Sequence, residues 1–490
     1  MIRQSLSRVL HAIGLRRRPD SSRSYDGAAG GRLVSQWITA PLSADAAIRG
    51  HLRPLRDRCR DLERNNEWAR GFFRVLENNV LGEKGFALQM KVEDRPGKLD
   101  EPANQMIENA WLKWGKPGNC SVNRRHGWRD IQRLTLRAMA RDGEVLIHRR
   151  ITASGLRLQV IEADYLDENL SRPQGQNEIR MGIEYDPDRV PVAYWLLNYH
   201  PGDAEFTARR GNSMYRRVPA SEIIHLYLDE RIDQSRGVPW LVASLKPLRM
   251  LAGYQEAELV AARTASAKMG FFTKETPEGM TGEEDAKGNL TMDATPGVIE
   301  ELPPGVKFQS WDPSHPGNNY SGFVKGALRG VASSLGVSYN TLASDLEGVN
   351  YSSIRAGLLE EREVWKAVQR FLVENMAEPI FTEWLWVELL SGRIPLPPEK
   401  FDKFNAPEFR PRRWSWVDPK KDMEAHILAI GAGLTSRRAA IAEGGGDVWD
   451  TFADIAADSA LAAQFKIALA DLRGGNSGSV DKPDDPEDDE

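Results

Sequence analysis

A chain of 490 residues and 54.9 kDa can bury a substantial core, and its length suggests about two to four structural units. With 28% charged and 41% hydrophobic residues the composition is that of an ordinary soluble globular protein, and a formal net charge of −5 argues against a broad basic surface that grips nucleic acid. The two cysteines, Cys59 and Cys120, exclude a disulfide framework and a paired-cysteine metal site, and no window approaches the roughly 18 apolar residues of a membrane span.

Residues 1–50 read as a flexible N-terminal segment. Within it, Arg3, Arg8 and Arg16 to Arg18 surround Leu6, Val9, Leu10 and Ile13, a short amphipathic helix pattern without a signal-peptide core. Leu55, Cys59, Leu62, Asn66, Ala69, Phe73, Leu76 and Val80 advance by threes and fours, predicting one helix that Gly82 ends. Phe86, Leu88, Met90 and Val92 alternate as a strand, and helices follow near 105–114 and 128–141. A β-rich stretch comes next. Val145 and Ile147 should pair with Leu156 to Val160, Met181 to Leu196 forms a hairpin about Asp186-Pro187-Asp188, and Ile223 to Leu228 adds a strand. Residues 50–235 are therefore a mixed α+β unit.

At Pro239 a helix is expected to begin and to run to Met269. Residues 271–316 look like a small, mostly β excursion, and a helix near 320–335 returns from it. A loop over 338–350 leads into the longest helical pattern, 353–391, which Pro379 should kink. At 1.5 Å per residue this helix spans roughly 55–60 Å, too long for one compact layer. Helical patterns near 420–432, 435–443 and 453–472 precede an acidic tail expected to be disordered.

A search for chemistry is negative. There is no Gly-rich phosphate loop ending in Lys-Ser/Thr, no zinc-protease histidine pair and no Gly-x-Ser-x-Gly elbow. Histidines are scattered, so no metal site and no cofactor are expected. Asp142 and Glu144 flank Gly143, which a helix-to-strand turn explains better than an acid pair. Arg56, Arg58, Arg60 and Arg64 alternate with Asp57, Asp61 and Glu63, the pattern of a salt-bridged exposed face. Trp365, Trp384 and Trp386 sit at helical spacings that suit core or subunit-interface packing. In the long loop, Asp345 and Glu347 have no cation before Arg355, and Asn350 stands where it can cap the next helix.

Several strings, taken in order, resemble the lambda-type phage portal family. They are Leu55 to Asn66, Asn78-Asn79-Val80-Leu81-Gly82, Arg141-Asp142-Gly143-Glu144, Ile161-Glu162-Ala163-Asp164 and Gly182-Ile183-Glu184-Tyr185. Further on come Arg236-Gly237-Val238-Pro239-Trp240, Tyr254 to Leu259, Ser344-Asp345-Leu346, and Asn350-Tyr351-Ser352-Ser353-Ile354-Arg355, with Gln369 and Pro379 downstream. The resemblance covers about 50–392.

The family implies an α+β portal fold. Its parts would be a wing (51–236), a stem helix (237–270), a clip (271–316), a returning stem helix (317–338) and a tunnel loop (339–351). After them would come a long kinked helix with wing closure (352–419), a helical crown (420–473) and the acidic tail (474–490). It further implies a non-enzymatic virion protein at a capsid vertex, made in the host cytoplasm. A dodecameric ring would pass double-stranded DNA during packaging and ejection. Its partners would be terminase, the major capsid or scaffold protein and head-completion or tail connector proteins, with no membrane. Ser344, Asp345, Leu346, Glu347, Asn350 and Tyr351 would then belong to the DNA-channel loop, the two acids favouring sliding over sticking. Two other readings are a DNA-processing enzyme of the packaging machinery and a non-portal structural ring of a phage-like particle, including one from a prophage or gene-transfer element.

Overall fold

The leading helical pattern is broken at Asn66. Its backbone is extended and its side chain accepts from Ala69 N at 3.0 Å, so α2 (Leu52–Asn65) and α3 (Glu67–Val80) are separate helices after a short α1 (Ala44–Ile48). An asparagine able to cap starts a new helix where the apolar stripe alone predicted continuation. This is a computed structural model, describing residues 32, 40–203, 214–267, 270–274, 283–284, 290–291, 306–310, 320–414, 419–444, 446 and 448–465. The expectations for the amphipathic N-terminus, for most of 271–316 and for the tail 474–490 lie outside the described residues.

β1 (Ala87–Met90) follows, then α4 (Glu101–Trp114) and α5 (Trp128–Asp142). β2 (Glu144–Thr152) and β3 (Gly155–Ile161) form a hairpin, Ile147 opposite Val160 and Ile151 opposite Leu156. A five-stranded antiparallel sheet is built in chain order from β4 (Arg172–Gln174), β5 (Asn177–Arg180), β6 (Ile183–Tyr185), β7 (Pro191–Leu197) and β8 (Tyr215–Pro219). β9 (Ile223–Tyr227) returns to the other edge of β2, so β2 is central and buried at Val145, Leu146 and Ile147.

The helix expected from Pro239 begins later, with α6 (Leu245–Ala267) after a 3₁₀ turn. The intervening strap turns tightly, Val242 N donating to Pro239 O at 3.1 Å, and Trp240 N donates to Ala140 O at 3.0 Å, anchoring it to the end of α5. Two short antiparallel pairs, Gly270–Lys274 with Val306–Ser310 and Glu283–Glu284 with Leu290–Thr291, are described between α6 and α7 (Tyr320–Leu335). Residues 339–343 of the expected loop form a short helix, α8 (Tyr339–Ala343).

α9 (Tyr351–Leu372), a π-helical turn (Val373–Ala377) and α10 (Glu378–Leu390) run on without a break, about 60 Å at 1.5 Å per residue. Pro379 has no N–H for the Asn375 carbonyl. The wider turn just before it absorbs that mismatch, Glu378 N reaching back to Val373 O. β10 (Pro407–Arg410) pairs with β1, closing the chain onto its start. Three helices complete the described chain: α11 (Pro419–Gly431), α12 (Arg437–Glu443) and α13 (Val448–Gln464), the last starting earlier than expected.

The core is aromatic at its centre. Trp111 stacks on Trp114 at 4.6 Å and meets Trp128, Trp384 and Phe381 edge-on at 5.6, 4.9 and 5.5 Å. Such pairs add roughly 0.5–1.5 kcal/mol each beyond area burial, here joining α4, α5 and α10. Gln369 fixes the long helix, donating through Nε2 to Asn79 O, Val80 O and Arg412 O at 3.2, 3.0 and 3.0 Å.

Candidate functional site

The loop ending at Tyr351 is held at three points. At its base, Ser338 caps α8, its hydroxyl accepting from Thr341 N at 3.1 Å. The buried Glu361 of α9 accepts from Ser338 N at 3.2 Å, from Thr341 Oγ1 at 2.8 Å and from Trp365 Nε1 at 3.3 Å. Ser344 then turns the chain in the left-handed region, φ 53°. At the far end Asn350 accepts from Ser353 N at 2.8 Å and so caps α9, as its position predicted.

Between these anchors Asp345 is well satisfied. It accepts from Glu347 N at 2.9 Å and Tyr339 Oη at 2.8 Å, and lies 3.3 Å from Lys325 Nζ on α7. The Glu347 amide, Tyr339 and Lys325 together hold its carboxyl below the usual range. Glu347 is exposed and also reaches Lys325, at 3.4 Å. The expectation that these acids lack a cation is thus corrected: the partner comes from the returning helix, outside the local sequence. Leu346 is 69% exposed at the tip, and Tyr351 opens α9. The loop presents one apolar tip and a local charge cluster of −1, not two naked acids. Lys325 and Glu361 were invisible to sequence reasoning because both act across helix pairs.

A second constellation positions the start of α6. Arg236, fully buried, donates from Nε to both oxygens of the fully buried Glu144, at 2.8 and 2.9 Å. Its Nη1 donates to Met181 O at 2.8 Å and Nη2 to Ala163 O at 3.3 Å. Glu144 also accepts from Arg56 Nη2 at 2.5 Å and Gly237 N at 3.0 Å, and lies 3.0 Å from His225 Nε2. Burial alone would raise the Glu144 carboxyl, but Arg236 and Arg56 outweigh it and hold it well below the ordinary 4.5. Burial lowers His225, against the pull of Glu144.

Two sequence expectations change here. Arg56 is 2% exposed and bonds Asp142 O at 3.0 Å, while Arg60 bonds Asp142 Oδ1 at 2.7 Å and pairs with Asp164 at 2.5 Å. The face read as exposed is therefore half inward-facing, and Asp142 and Glu144 are acceptors of a buried network as well as a turn. Gly143 and Gly237 make it possible. Gly143 has φ 88°, and a Cβ there would sit 2.4 Å from the Val238 carbonyl carbon. A Cβ on Gly237 would sit 2.1 Å from Gly143 O.

One group of side chains could in principle hold a cation. His200 Nε2 lies 3.5 Å from Glu162 and 3.6 Å from Asp164. Arg60 already occupies Asp164 at 2.5 Å, and Arg141 lies 3.7 Å from Glu162. Those fixed cations supply the charge a metal would bring. Among the described residues no nucleophile, base and oxyanion donor converge as acyl or phosphoryl chemistry would need. No described helix is long and apolar enough to cross a membrane.

The profile of the family described as "Phage portal protein, lambda family" matches residues 30–369. The chain is 35% identical to the "Probable portal protein" of Halomonas phage phiHAP-1, over 85% of this chain and 82% of that one. It is 23% identical to "Portal protein B" of Escherichia phage lambda, over 86% of each chain. Among solved structures, a chain from the neck of a native gene transfer agent particle, computed with C12 symmetry, aligns at a TM-score of 0.43. It is 14% identical and covers 79% of this chain and 93% of that chain. On the extent of the family match and the similarity to the Halomonas phage protein, this chain belongs to the lambda family of phage portal proteins, whose members are structural and not enzymes.

Proposed function

We propose that this chain assembles head to tail into a dodecameric ring at one capsid vertex, through which double-stranded DNA is packaged and later ejected. The observation that carries the reading is the distribution of exposed apolar side chains. Met250 and Leu259 on α6, Phe323 on α7, Leu359 on α9, Leu390 on α10 and Leu428 on α11 are 65, 67, 59, 47, 59 and 72% exposed. A lone soluble protomer has no use for so many spread over five helices. A ring with heterologous contacts covers two different faces of every subunit, which suits such a spread.

In this reading residues 51–236 form the wing against the capsid or scaffold protein. Residues 237–270 and 317–338 form the stem, 271–316 the clip that receives terminase and then connector proteins, and 420–473 the crown. Residues 339–351 form the loop towards the DNA path. Leu346 is its leading contact, and Lys325 tempers the acids Asp345 and Glu347 so that phosphates are neither gripped nor strongly repelled. ATP hydrolysis belongs to a separate motor. Mass photometry of the purified chain tests the assembly: a species near twelve times 54.9 kDa is expected, and a monomer at micromolar concentration would argue against the ring.

A further inference from the structure

The three-stranded sheet of β3, β2 and β9 carries opposite charge at its two ends. At one end the β2–β3 hairpin meets the loop between α4 and α5. From Trp111 to Arg129 and from Val145 to Ile161 the sequence holds no acid. Trp114 Nε1 donates to Leu156 O at 2.8 Å, and Arg157 Nη1 donates to Gly118 O and Ser121 O at 2.9 and 3.0 Å, so loop and hairpin form one corner. Arg150 stands directly across the ladder from Arg157, a like-charge pair that costs stability. Lys113, Lys116, Arg124, Arg125 and Arg150 are exposed. Among the described residues, neither these five nor Arg157 have a carboxylate within ion-pair distance. The acids at this corner are engaged. Arg393 binds Glu388 at 2.7 and 2.9 Å, Arg141 lies 3.7 Å from Glu162, and Asp130 accepts from Gly127 N at 3.1 Å. With Glu388 and Glu162 matched by their own arginines, six cations against Asp130 leave a surplus of five positive charges.

Negative charge gathers at the far end. β9 runs back along β2 to place Tyr227 across from Glu144, six residues and roughly 20 Å from Arg150. Asp229, Glu230 and Asp233 follow, and Arg189 brings in the β6–β7 turn by donating from Nη2 to Asp233 O at 3.4 Å. That turn adds Asp186 and Asp188, Asp186 accepting from the amides of Asp188 and Val190 at 3.0 and 2.8 Å. Five acids against Arg189 and Arg231 leave a surplus of three negative charges. The neighbouring α1, held by Asp45 on Ser235 N at 2.8 Å, adds Asp45 and Arg49, one of each sign.

Each end also presents bare apolar side chains. Leu112 and Ile151 are 65 and 64% exposed at the basic corner, and Val190 and Ile232 are 55 and 93% exposed at the acidic end. Apolar anchors inside a polar rim are the usual build of a protein interface. Like ends repel, which disfavours a two-fold contact, whereas unlike ends attract, and a contact between them is head to tail.

We propose that the basic corner at Arg124, Arg125 and Arg150 of one copy docks on the acidic end at Asp188, Glu230 and Asp233 of the next, Ile232 packing against Leu112 and Ile151. This contact rests on the ring assembly proposed above and identifies one pair of surfaces that joins its subunits. A second copy is the occupant because the chain itself supplies both the complementary charge and the complementary apolar tip.

Two full-length variants test the contact. Arg124→Glu and Arg125→Glu with Arg150→Glu reverse one end, and Asp188→Lys with Glu230→Lys reverses the other. All five side chains are exposed, so circular dichroism should match the wild type. In mass photometry each variant alone should assemble at least about tenfold more weakly, since its two ends now share one sign. An equimolar mixture of the two should assemble again, with the copies alternating. Wild-type assemblies mixed from light and ¹⁵N-labelled chains give a readout free of substitutions. Zero-length carbodiimide coupling should join Lys113 or Lys116 of one isotope to Asp188, Glu230 or Asp233 of the other. Absence of that mixed-isotope link in wild-type rings overturns the contact. Assembly of either variant alone as readily as the wild type, or no recovery on mixing, also overturns it and leaves the ring standing. A wild type that stays monomeric overturns the ring as well. If reversing the basic corner spares assembly but abolishes binding of a labelled DNA duplex, the corner is a nucleic-acid surface and the proposal falls.

Discussion

Glu144 and Arg236, 92 positions apart, form a fully buried carboxylate–guanidinium pair that fixes where the helix α6 leaves the α+β unit. The same guanidinium reaches the carbonyls of Met181 and Ala163, so four separate stretches of sequence meet on one side chain. Removing one partner leaves uncompensated buried charge, whereas the intact network sets geometry more than it adds stability. Glu144→Gln should therefore lower unfolding stability by about 3–5 kcal/mol. Urea denaturation followed by fluorescence measures it; a loss below about 1 kcal/mol would mean the pair is solvated.

Acid should weaken this junction in a defined order. His225 is held neutral, its folded pKa below the ordinary 6.5, so its stabilisation is complete above 6.5 and is lost as pH falls towards the folded value. Glu144 is held ionised, its folded pKa well below 4.5, so its stabilisation is complete above 4.5 and lost as pH falls through the folded value. Thermal midpoints of the wild type and His225→Gln, measured from pH 7 downwards, should differ in slope just below pH 6.5. Parallel curves there would contradict the assignment.

The close approach of Gly143 and Gly237 admits no side chain. Gly237→Ala places a Cβ 2.1 Å from Gly143 O, so backbone must shift at the point where the network is tightest. A loss of at least about 3 kcal/mol is expected, read as a lowered melting midpoint or insoluble expression. Gly253→Ala on α6, where a Cβ meets nothing within 4 Å, serves as the control and should be neutral or slightly stabilising.

In the loop, Asn350→Ala removes the cap of α9 at a cost of about 1 kcal/mol, confined to the first turn. Lys325→Gln removes the cation shared by Asp345 and Glu347 without touching that cap. Hydrogen–deuterium exchange should then rise over 344–349 in Lys325→Gln and over 351–355 in Asn350→Ala. Identical exchange profiles in the two variants would show that the anchors are not independent.

Much of this fold was legible as pattern. The hairpins around Ala153 to Gly155 and Asp186 to Asp188, the long helix with its disturbance near Pro379, and the cap at Asn350 all follow from local spacing, although Val145, expected opposite the 156–160 strand, pairs with Leu226 instead. What failed was local in another way. Asn66 satisfied the helical stripe and also the needs of a cap, and capping prevailed. Pro239 looked like a first helical turn, but the Gly237 amide is claimed by Glu144 and the helix waits until Leu245. Arg56 and Arg60 looked solvated because acids flank them in sequence, whereas their real partners are Asp142, Glu144 and Asp164. Ionic networks between distant segments leave no periodic signature, and this is why Lys325 was missed beside Asp345.

Cryo-electron microscopy of the purified full-length chain tests the central proposal most directly. A closed twelve-fold ring is expected, with α6 and α7 around a duplex-wide channel, Leu346 facing the lumen, and the exposed apolar positions of α9 to α11 covered by neighbours. Monomers, an open filament, or a ring whose 339–351 loops point away from the channel would contradict it.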